Sequence, residues 1–326
     1  MQGLENDFKP PYLLRNPHIQ SVFNSIKLRQ PIVRNRSRGM LNAATPHILD
    51  CDKGIRLQGY FSGHNPGHKD LCILIHGWMG SSESSYLLSA AGTLWDKGFD
   101  VFRLNMRDHG PTHHLNEGVF HSCRIDEVVA AVKRIQALFS HKRMFLAGFS
   151  LGGNFALRVA ARAPAADIKI DKVIAICPVL YPPNTLHAME RGLQIYHLYF
   201  MKKWRDSLHI KRKYFPHLKG LERISGFKLI SDMTDYFVSN FTDFPDMMTY
   251  LKAYAITGHA LENLSIPAII IASIDDPIIP AKDLNNLASS DVLKIETTRF
   301  GGHCGYLKNF YLNSWVDQRI IALFQN

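Results

Sequence analysis

Apolar runs of strand length alternate with helical stretches along most of this chain of 326 residues. Each run is short and rich in Val, Ile, Leu or Phe, which is typical of a strand buried on both faces. Parallel neighbouring strands need a crossover helix between them, so this alternation predicts a parallel sheet covered by helices on both faces. The runs occupy residues 71–76, 101–105, 144–149, 173–178 and 268–273.

Three further segments complete the predicted sheet at its edges. Residues 47–50 and 55–60 flank a short polar turn and predict an antiparallel hairpin, and residues 293–300 predict a last strand. Helices are expected over residues 87–97, ending at Gly98, and over residues 125–139, where apolar positions recur at helical spacing. We therefore expect an α/β fold with a mostly parallel sheet of eight strands.

One region interrupts the alternation. Residues 181–266 carry aromatic and basic helical segments where a single crossover helix would be enough. We interpret them as a helical cap inserted over the carboxyl edge of the sheet, where open α/β folds bind ligands. The chain as a whole predicts one domain spanning 1–326, which includes this cap and an amino-terminal strap at residues 1–45.

A serine follows the third of the five central runs. Gly148-Phe149-Ser150-Leu151-Gly152 links an apolar stretch to a stretch of small residues with helical character, so Ser150 stands at a sharp turn between strand and helix. Glycines on both sides allow the neighbouring backbones to come close, and the strained turn exposes the hydroxyl. Ser150 is therefore a candidate nucleophile.

A serine hydroxyl needs a histidine to accept its proton and an acid to orient that histidine. Asp275 and Asp276 lie just past the run at 268–273, and His303 stands between glycine-rich segments after the last predicted strand. The chain order of serine, aspartate and histidine is the one that α/β hydrolases use. Spacing alone leaves the choice between Asp275 and Asp276 open.

Acyl transfer also requires backbone donors for the oxyanion of the tetrahedral intermediate. The amide of Leu151 follows the nucleophile at the start of a helix. His76-Gly77-Trp78-Met79-Gly80 follows the first central run, and we assign the second donor to the amide of Trp78, with Met79 as the alternative.

These motifs resemble the α/β-hydrolase superfamily, and specifically its YheT-like branch. The opening Phe8-Lys9-Pro10-Pro11-Tyr12-Leu13-Leu14-Arg15-Asn16-Pro17-His18-Ile19-Gln20-Ser21 is similar to the amino-terminal signature of that branch. The resemblance implies serine esterase or acyltransferase chemistry with Ser150, Asp275 and His303 as the triad. Asn105-Met106-Arg107-Asp108-His109-Gly110 departs from the family's R-G-H-G loop by placing Asp108 where a glycine is usual.

The resulting functional prediction is a serine hydrolase that cleaves carboxylic esters of small molecules through an acyl-enzyme. Alcohol acyl transfer through the same intermediate is one alternative, and a non-catalytic binding module with this fold is another. Aromatic residues of the cap favour an acyl chain or another lipid-like group as the apolar part of the substrate. The candidates are Tyr181, Tyr196, Tyr199, Phe200, Trp204, Tyr236, Phe237 and Phe241.

Positive charge is concentrated within the predicted cap. Residues 191–228 hold ten Lys or Arg against Asp206 and Glu222, within a chain of net charge +10. The segments 202–205 and 211–213 motivate a hypothesis of peripheral contact with an anionic membrane. We expect no nucleic-acid partner, because the charge is local and no binding module accompanies it.

Cysteine usage and the chain start predict a cytoplasmic protein. The five cysteines are widely spaced without a C-x-x-C pattern, and no apolar stretch is long enough to span a bilayer. We expect neither a cofactor nor a metal ion, since His109, His113, His114 and His121 lack a metal-ligand spacing. Nothing in the sequence bears on the oligomeric state.

Overall fold

Nine strands form one sheet in the part of the chain that the computed structural model describes, residues 4–6, 8–25, 29–64 and 68–325. They are β1 (Leu4–Asn6), β2 (Ala44–Asp50), β3 (Arg56–Ser62), β4 (Lys69–Ile75), β5 (Asp100–Asn105), β6 (His141–Phe149), β7 (Lys172–Ile176), β8 (Ala268–Ser273) and β9 (Leu293–Thr298). Their order across the sheet is β1-β9-β8-β7-β6-β4-β5-β3-β2. β3 is antiparallel to β2 and β5, and the other pairs are parallel. The predicted mostly parallel sheet is confirmed.

The eight predicted strands correspond to β2 through β9. β1 adds a ninth strand at the edge, where its three residues pair in parallel with β9. Three residues are too few to show an alternating pattern, so the sequence carries no signal for β1.

Helices cover both faces of the sheet. They are α1 (Pro17–Ser25), α2 (Arg29–Arg36), α3 (Arg38–Asn42), α4 (Ser85–Asp96), α5 (Ile125–Leu138), α6 (Leu151–Arg162), α7 (Pro182–Arg191), α8 (Gln194–Tyr214), α9 (Ile230–Phe241), α10 (Met247–Ala253) and α11 (Trp315–Gln325). The predicted helices at 87–97 and 125–139 are α4 and α5. Gly98 follows α4 with φ +87°, a conformation that glycine adopts without strain.

Side chains of the central strands alternate between two apolar layers, as expected for a sheet covered on both sides. Ile73 and Ile75 of β4 pack in the layer that contains α5 and α6, whereas Cys72 and Leu74 pack in the layer that contains α4 and α11. These fully buried strands hold the loops at their carboxyl ends in a rigid frame.

Four helices, α7 to α10, lie between β7 and β8, inside the segment 181–266 that was predicted as a cap. The aromatic side chains of α8 face the loop after β4: the ring of Phe200 stacks on Trp78 with centroids 5.3 Å apart. Trp204 contacts Trp78 and Phe237 edge to face. These helices therefore cover the loop predicted to hold the oxyanion.

The predicted strap, residues 1–45, contains β1, a 3-10 helix at Tyr12–Arg15 and helices α1 to α3. Residues 1–3, 7 and 26–28 of that segment lie outside the described residues. Gln20 and Asn24 of α1 are buried polar residues, which requires partners for their amide groups.

Candidate active site

Ser150 occupies the turn between β6 and α6. Its backbone angles, φ 54° and ψ −120°, are strained for a residue with a side chain. A Cβ atom at Gly148 would lie 2.1 Å from the carbonyl oxygen of Gly152, and one at Gly152 would lie 2.3 Å from the carbonyl oxygen of Ile75. Only glycine fits at these two positions, so the turn has the geometry that the G-F-S-L-G motif predicts.

The side chain of His303 reaches this serine from the loop after β9. Its Nε2 lies 2.9 Å from Ser150 Oγ, and its Nδ1 lies 2.9 Å from Asp276 Oδ2. The His303 side chain is 11% exposed and that of Asp276 is 2% exposed. A hydroxyl, an imidazole and a carboxylate thus form a continuous, largely buried hydrogen-bonded chain.

The structure corrects the choice of aspartate. Asp275, which the sequence analysis selected, accepts a hydrogen bond from the backbone N–H of Gly302 at 2.9 Å and makes no hydrogen bond to the imidazole of His303. Asp276 faces that imidazole, and its other oxygen accepts the amides of Ile278 and Ile279 at 2.8 and 2.9 Å.

This capping geometry explains the correction. An aspartate whose side chain accepts amides two and three residues later forms an Asx turn. The Asp276-Pro277 pair was the available sequence signal, since Asp-Pro favours such a turn. The turn directs the second oxygen of Asp276 toward His303.

Charge interactions favour a protonated His303. Burial alone would lower the pKa of this histidine, but the carboxylate of Asp276 and its hydrogen bond outweigh burial and raise the pKa above its ordinary value. Burial raises the pKa of Asp275, and the neighbouring Asp276 charge adds to that effect.

Trp78 and Leu151, whose amides the sequence assigns to the oxyanion, both line the cavity beside Ser150. Leu151 is the first residue of α6, where backbone N–H groups lack partners within the helix. In the loop after β4, Met79 N–H donates to His109 Nε2 at 3.1 Å, and Gly77 N–H donates to the Tyr86 hydroxyl at 2.9 Å. The Met79 amide is thus already engaged, whereas the Trp78 amide makes no hydrogen bond to any residue that the structure describes.

The loop that departs from the family pattern is held by Asp108. Its φ of 57° lies in the left-handed region that glycine normally occupies and that aspartate tolerates. Its carboxylate accepts the Phe120 amide at 2.8 Å and pairs with Lys211 Nζ of α8 at 2.9 Å. The side chains of Asp108 and Lys211 are 5% and 0% exposed, so this ion pair ties α8 to the loop that carries His109.

Helix α1 forms several hydrogen bonds with the loop that carries His303. Ser21 Oγ accepts the His303 N–H at 2.8 Å, and Asn24 Nδ2 donates to the Cys304 carbonyl at 2.6 Å. The Gln20 amide donates to the carbonyl of Leu307 and accepts its N–H, at 3.1 and 2.7 Å. Gln20 and Ser21 belong to the amino-terminal segment that resembles the YheT-like signature, and the sequence pattern alone gives them no role.

A cavity of about 770 Å³, counting its open mouth, extends from Ser150 beneath α7 to α10. Phe200, Trp204 and Phe237 line it, as the sequence analysis expected. The other five aromatic candidates, Tyr181, Tyr196, Tyr199, Tyr236 and Phe241, are not among the lining residues. Tyr196, for example, bonds to His18 Nδ1 at 3.0 Å instead. The aromatic residues that the sequence analysis missed are Trp78, Phe120, Tyr250 and Tyr254.

Potential metal ligands meet at one place among the residues described: Cys177, His303 and Cys304. Both ring nitrogens of His303 are engaged by Ser150 and Asp276, so metal ligation would dismantle that chain. All five cysteines are free thiols. His109, His113, His114 and His121 do not form such a group within the described part of the chain.

Four of the six basic residues in the segments 202–205 and 211–213 are exposed, and the other two, Arg205 and Lys211, are engaged by the protein. Lys211 is fully buried, and Arg205 donates to the carbonyl of Phe227. Lys202 and Lys203 are exposed, with Lys202 paired to Asp206 at 2.6 Å. No helix within the described residues is both long and apolar enough to cross a lipid bilayer.

Known proteins resemble this chain in sequence and in fold. A family model described as the alpha/beta hydrolase fold matches residues 71–211. The chain is 22% identical over 260 residues to YheT of Escherichia coli (strain K12), which carries the name of an esterase, covering 78% of this chain and 76% of YheT. It is 23% identical over 278 residues to monoacylglycerol lipase ABHD2 of Danio rerio, and the match covers 79% of this chain and 66% of that protein. The solved structure of the Pyrococcus furiosus esterase Pf2001 superimposes with a TM-score of 0.56 at 16% identity, over 86% of this chain and 90% of that one.

Proposed function

We propose that this chain, which is similar to YheT and whose residues 71–211 match the alpha/beta hydrolase fold model, hydrolyses carboxylic esters through Ser150, His303 and Asp276. The observation that carries the proposal is the pair of 2.9 Å hydrogen bonds linking these three side chains. Each residue follows a different strand, so the sheet holds the arrangement before any substrate binds.

In the first half of the reaction, Ser150 Oγ attacks the ester carbonyl carbon while its proton passes to His303 Nε2. Asp276 holds the Nδ1–H of that imidazole and stabilises the imidazolium. The amides of Trp78 and Leu151 donate to the oxyanion, each contributing roughly 2.7–4 kcal/mol to transition-state stabilisation. The tetrahedral intermediate then collapses, the carbon–oxygen bond to the alcohol breaks, and His303 returns the proton to the departing alcohol.

In the second half, water attacks the acyl-enzyme. His303 accepts a proton from this water, and a second tetrahedral intermediate collapses to release the carboxylic acid. The proton returns to Ser150, so the enzyme regains its starting state.

The cavity supports an acyl chain as the apolar part of the substrate. Its lining is dominated by aliphatic and aromatic side chains, including Leu186, Met189 and Phe237. Burying each CH₂ group there contributes about 0.8 kcal/mol, so chain length should govern affinity. In this proposal the helices α7 to α10 act as a cap that shields the acyl-enzyme.

Two further proposals concern the same active site and the exposed face of α8. An alcohol in place of water would make the reaction an acyl transfer, which added alcohol and analysis of the products would reveal.

Peripheral contact with an anionic membrane stays a prediction. It is supported by Ile195 and Leu198, which are 53% and 62% exposed on the first turns of α8, followed by Lys202 and Lys203. The cytoplasmic location likewise stays a prediction from the sequence.

The decisive experiment combines turnover with active-site labelling. The protein is assayed with p-nitrophenyl esters whose acyl chains range from two to sixteen carbons and is labelled with a fluorophosphonate probe. We expect labelling and hydrolysis to vanish together in Ser150→Ala and to persist in Ser140→Ala, a substitution of an exposed serine away from the cavity. Folded wild-type protein that neither labels nor hydrolyses any ester would favour the non-catalytic alternative.

A further inference from the structure

Three polar side chains of the cavity form hydrogen bonds within the protein. Thr234 Oγ1 donates to a backbone carbonyl of its own helix at 2.7 Å, and Thr185 Oγ1 does the same at 3.5 Å. The Tyr250 hydroxyl accepts the Ser122 N–H at 3.0 Å. The hydrogens of both threonine hydroxyls are therefore donated within the protein, and one lone pair of the Tyr250 hydroxyl is occupied.

His121 differs from these three side chains. It lines the cavity together with Ser150, and its Nδ1 atom is buried without a hydrogen-bond partner among the described residues. Its ring meets Phe244 and Tyr250 edge to face, with centroids 6.2 Å from each. Aromatic packing therefore orients this imidazole while leaving its hydrogen-bonding capacity unused.

The imidazole of His121 is neutral under ordinary conditions. Burial, with the nearby positive charges of Arg124 and Arg107, lowers its pKa to about 3. A neutral imidazole offers one N–H donor and one lone-pair acceptor. An ionic partner would gain little from it, whereas a hydroxyl group can donate to or accept from either tautomer.

We propose that His121 binds a hydroxyl group of the substrate, so that the preferred substrates are carboxylic esters carrying a hydroxyl that enters the cavity. This inference rests on the proposed function, because it assigns the substrate class of the same site. The apolar lining accommodates the carbon chain, and the His121 imidazole selects for a hydroxyl within it, since a few placed polar groups fix orientation in such pockets. The hydroxyl can come from the alcohol part of the ester or from the acyl chain.

Two matched substrate pairs distinguish these sources. Glyceryl monobutyrate is compared with propyl butyrate, which lacks the hydroxyls on the alcohol part. Ethyl 6-hydroxyhexanoate is compared with ethyl hexanoate, which lacks the hydroxyl on the acyl chain. In at least one pair we expect the wild type to favour the hydroxylated ester about tenfold in kcat/KM, mainly through a lower KM; tenfold corresponds to about 1.4 kcal/mol.

The variants test whether His121 is the cause. His121→Phe keeps an aromatic ring without hydrogen-bonding atoms and should reduce the kcat/KM ratio of the discriminating pair to near one. His121→Asn keeps a donor and an acceptor and should retain part of the ratio. His114→Phe is the matched control, because His114 lies on the same loop, is exposed and does not line the cavity; it should keep the full ratio.

Three results would overturn the inference: no preference in either pair for the wild type, a preference unchanged in His121→Phe, or an equal loss for both members of a pair. If His121→Phe does not fold, the wild-type ratios and His121→Asn still decide the question. Fluorophosphonate labelling of every sample separates this failure from failure of the proposed function. Labelled protein without a hydroxyl preference refutes only the role of His121, and folded wild-type protein that neither labels nor hydrolyses any ester refutes the hydrolase itself.

Discussion

The two neighbouring aspartates after β8 provide a sharp test of the site, because only one of them contacts the imidazole. In the wild type, Asp276 Oδ1 accepts the amides of Ile278 and Ile279. In Asp276→Asn, the single side-chain oxygen is therefore expected to keep this position. The new NH₂ group would then face His303 Nδ1. It would donate to that nitrogen and shift the ring proton to Nε2, which could no longer accept the proton of Ser150.

The expected loss is large and specific. An incorrect histidine tautomer in a serine triad lowers kcat about 10⁴-fold, equivalent to about 5.4 kcal/mol of transition-state free energy. Asp275→Asn keeps an oxygen that can accept the Gly302 amide, so it should cost less than about tenfold. The assay is kcat for p-nitrophenyl butyrate together with the rate of fluorophosphonate labelling, with thermal melting to confirm that both variants fold.

The comparison between the two variants is what counts. If Asp275→Asn lost more activity than Asp276→Asn in equally folded proteins, the assignment of Asp276 as the partner of His303 would be wrong. Similar small losses in both would instead show that neither carboxylate orients the imidazole during turnover.

The remaining predictions concern titration, support of the histidine loop, the buried ion pair and the membrane. Since His303 acts as a base only when neutral and its pKa is raised above 6.5, kcat/KM should rise with pH through a midpoint above that value, and a pH-rate profile with a midpoint below it would contradict the geometry. Gln20→Leu leaves the Leu307 backbone without its partners, so we expect kcat to fall with KM nearly unchanged in steady-state assays. Lys211→Met leaves the buried carboxylate of Asp108 without its cationic partner and should lower the free energy of unfolding by about 3–5 kcal/mol in urea titrations. Charge reversal of Lys202 and Lys203 together should abolish co-sedimentation with anionic vesicles, while a wild type that binds neutral vesicles equally well would refute the charge argument.

Local patterns were enough to predict the frame of this protein. Eight strands, the positions of α4 and α5 and the turn at Ser150 all follow from periodicity, glycine placement and the small set of allowed backbone angles. These features depend on residues close together in the chain. The position of His303 after β9 could also be predicted, because the carboxyl ends of parallel strands meet at one edge of the sheet.

Contacts between distant segments could not be predicted in this way. The sequence identified the pair Asp275-Asp276, but the direction of each side chain depends on the loop after β8 and on the loop of His303, which lies 27 residues later. The cavity lining includes Tyr250 and Tyr254 and omits Tyr181 because helix packing decides which aromatic faces turn inward.

The chain's sequence by itself therefore determined the class of fold, the proposed nucleophile and the residues proposed to serve it, because these depend on local backbone geometry and on the chemistry of single side chains. Only the tertiary structure decided which aspartate faces His303, that α1 supports the histidine loop, that Lys211 is buried against Asp108, and that His121 lies unpaired in the cavity. The physical reason is that burial and hydrogen-bond pairing are properties of the packed chain: each joins atoms separated by many residues, and no short sequence pattern records which of them meet.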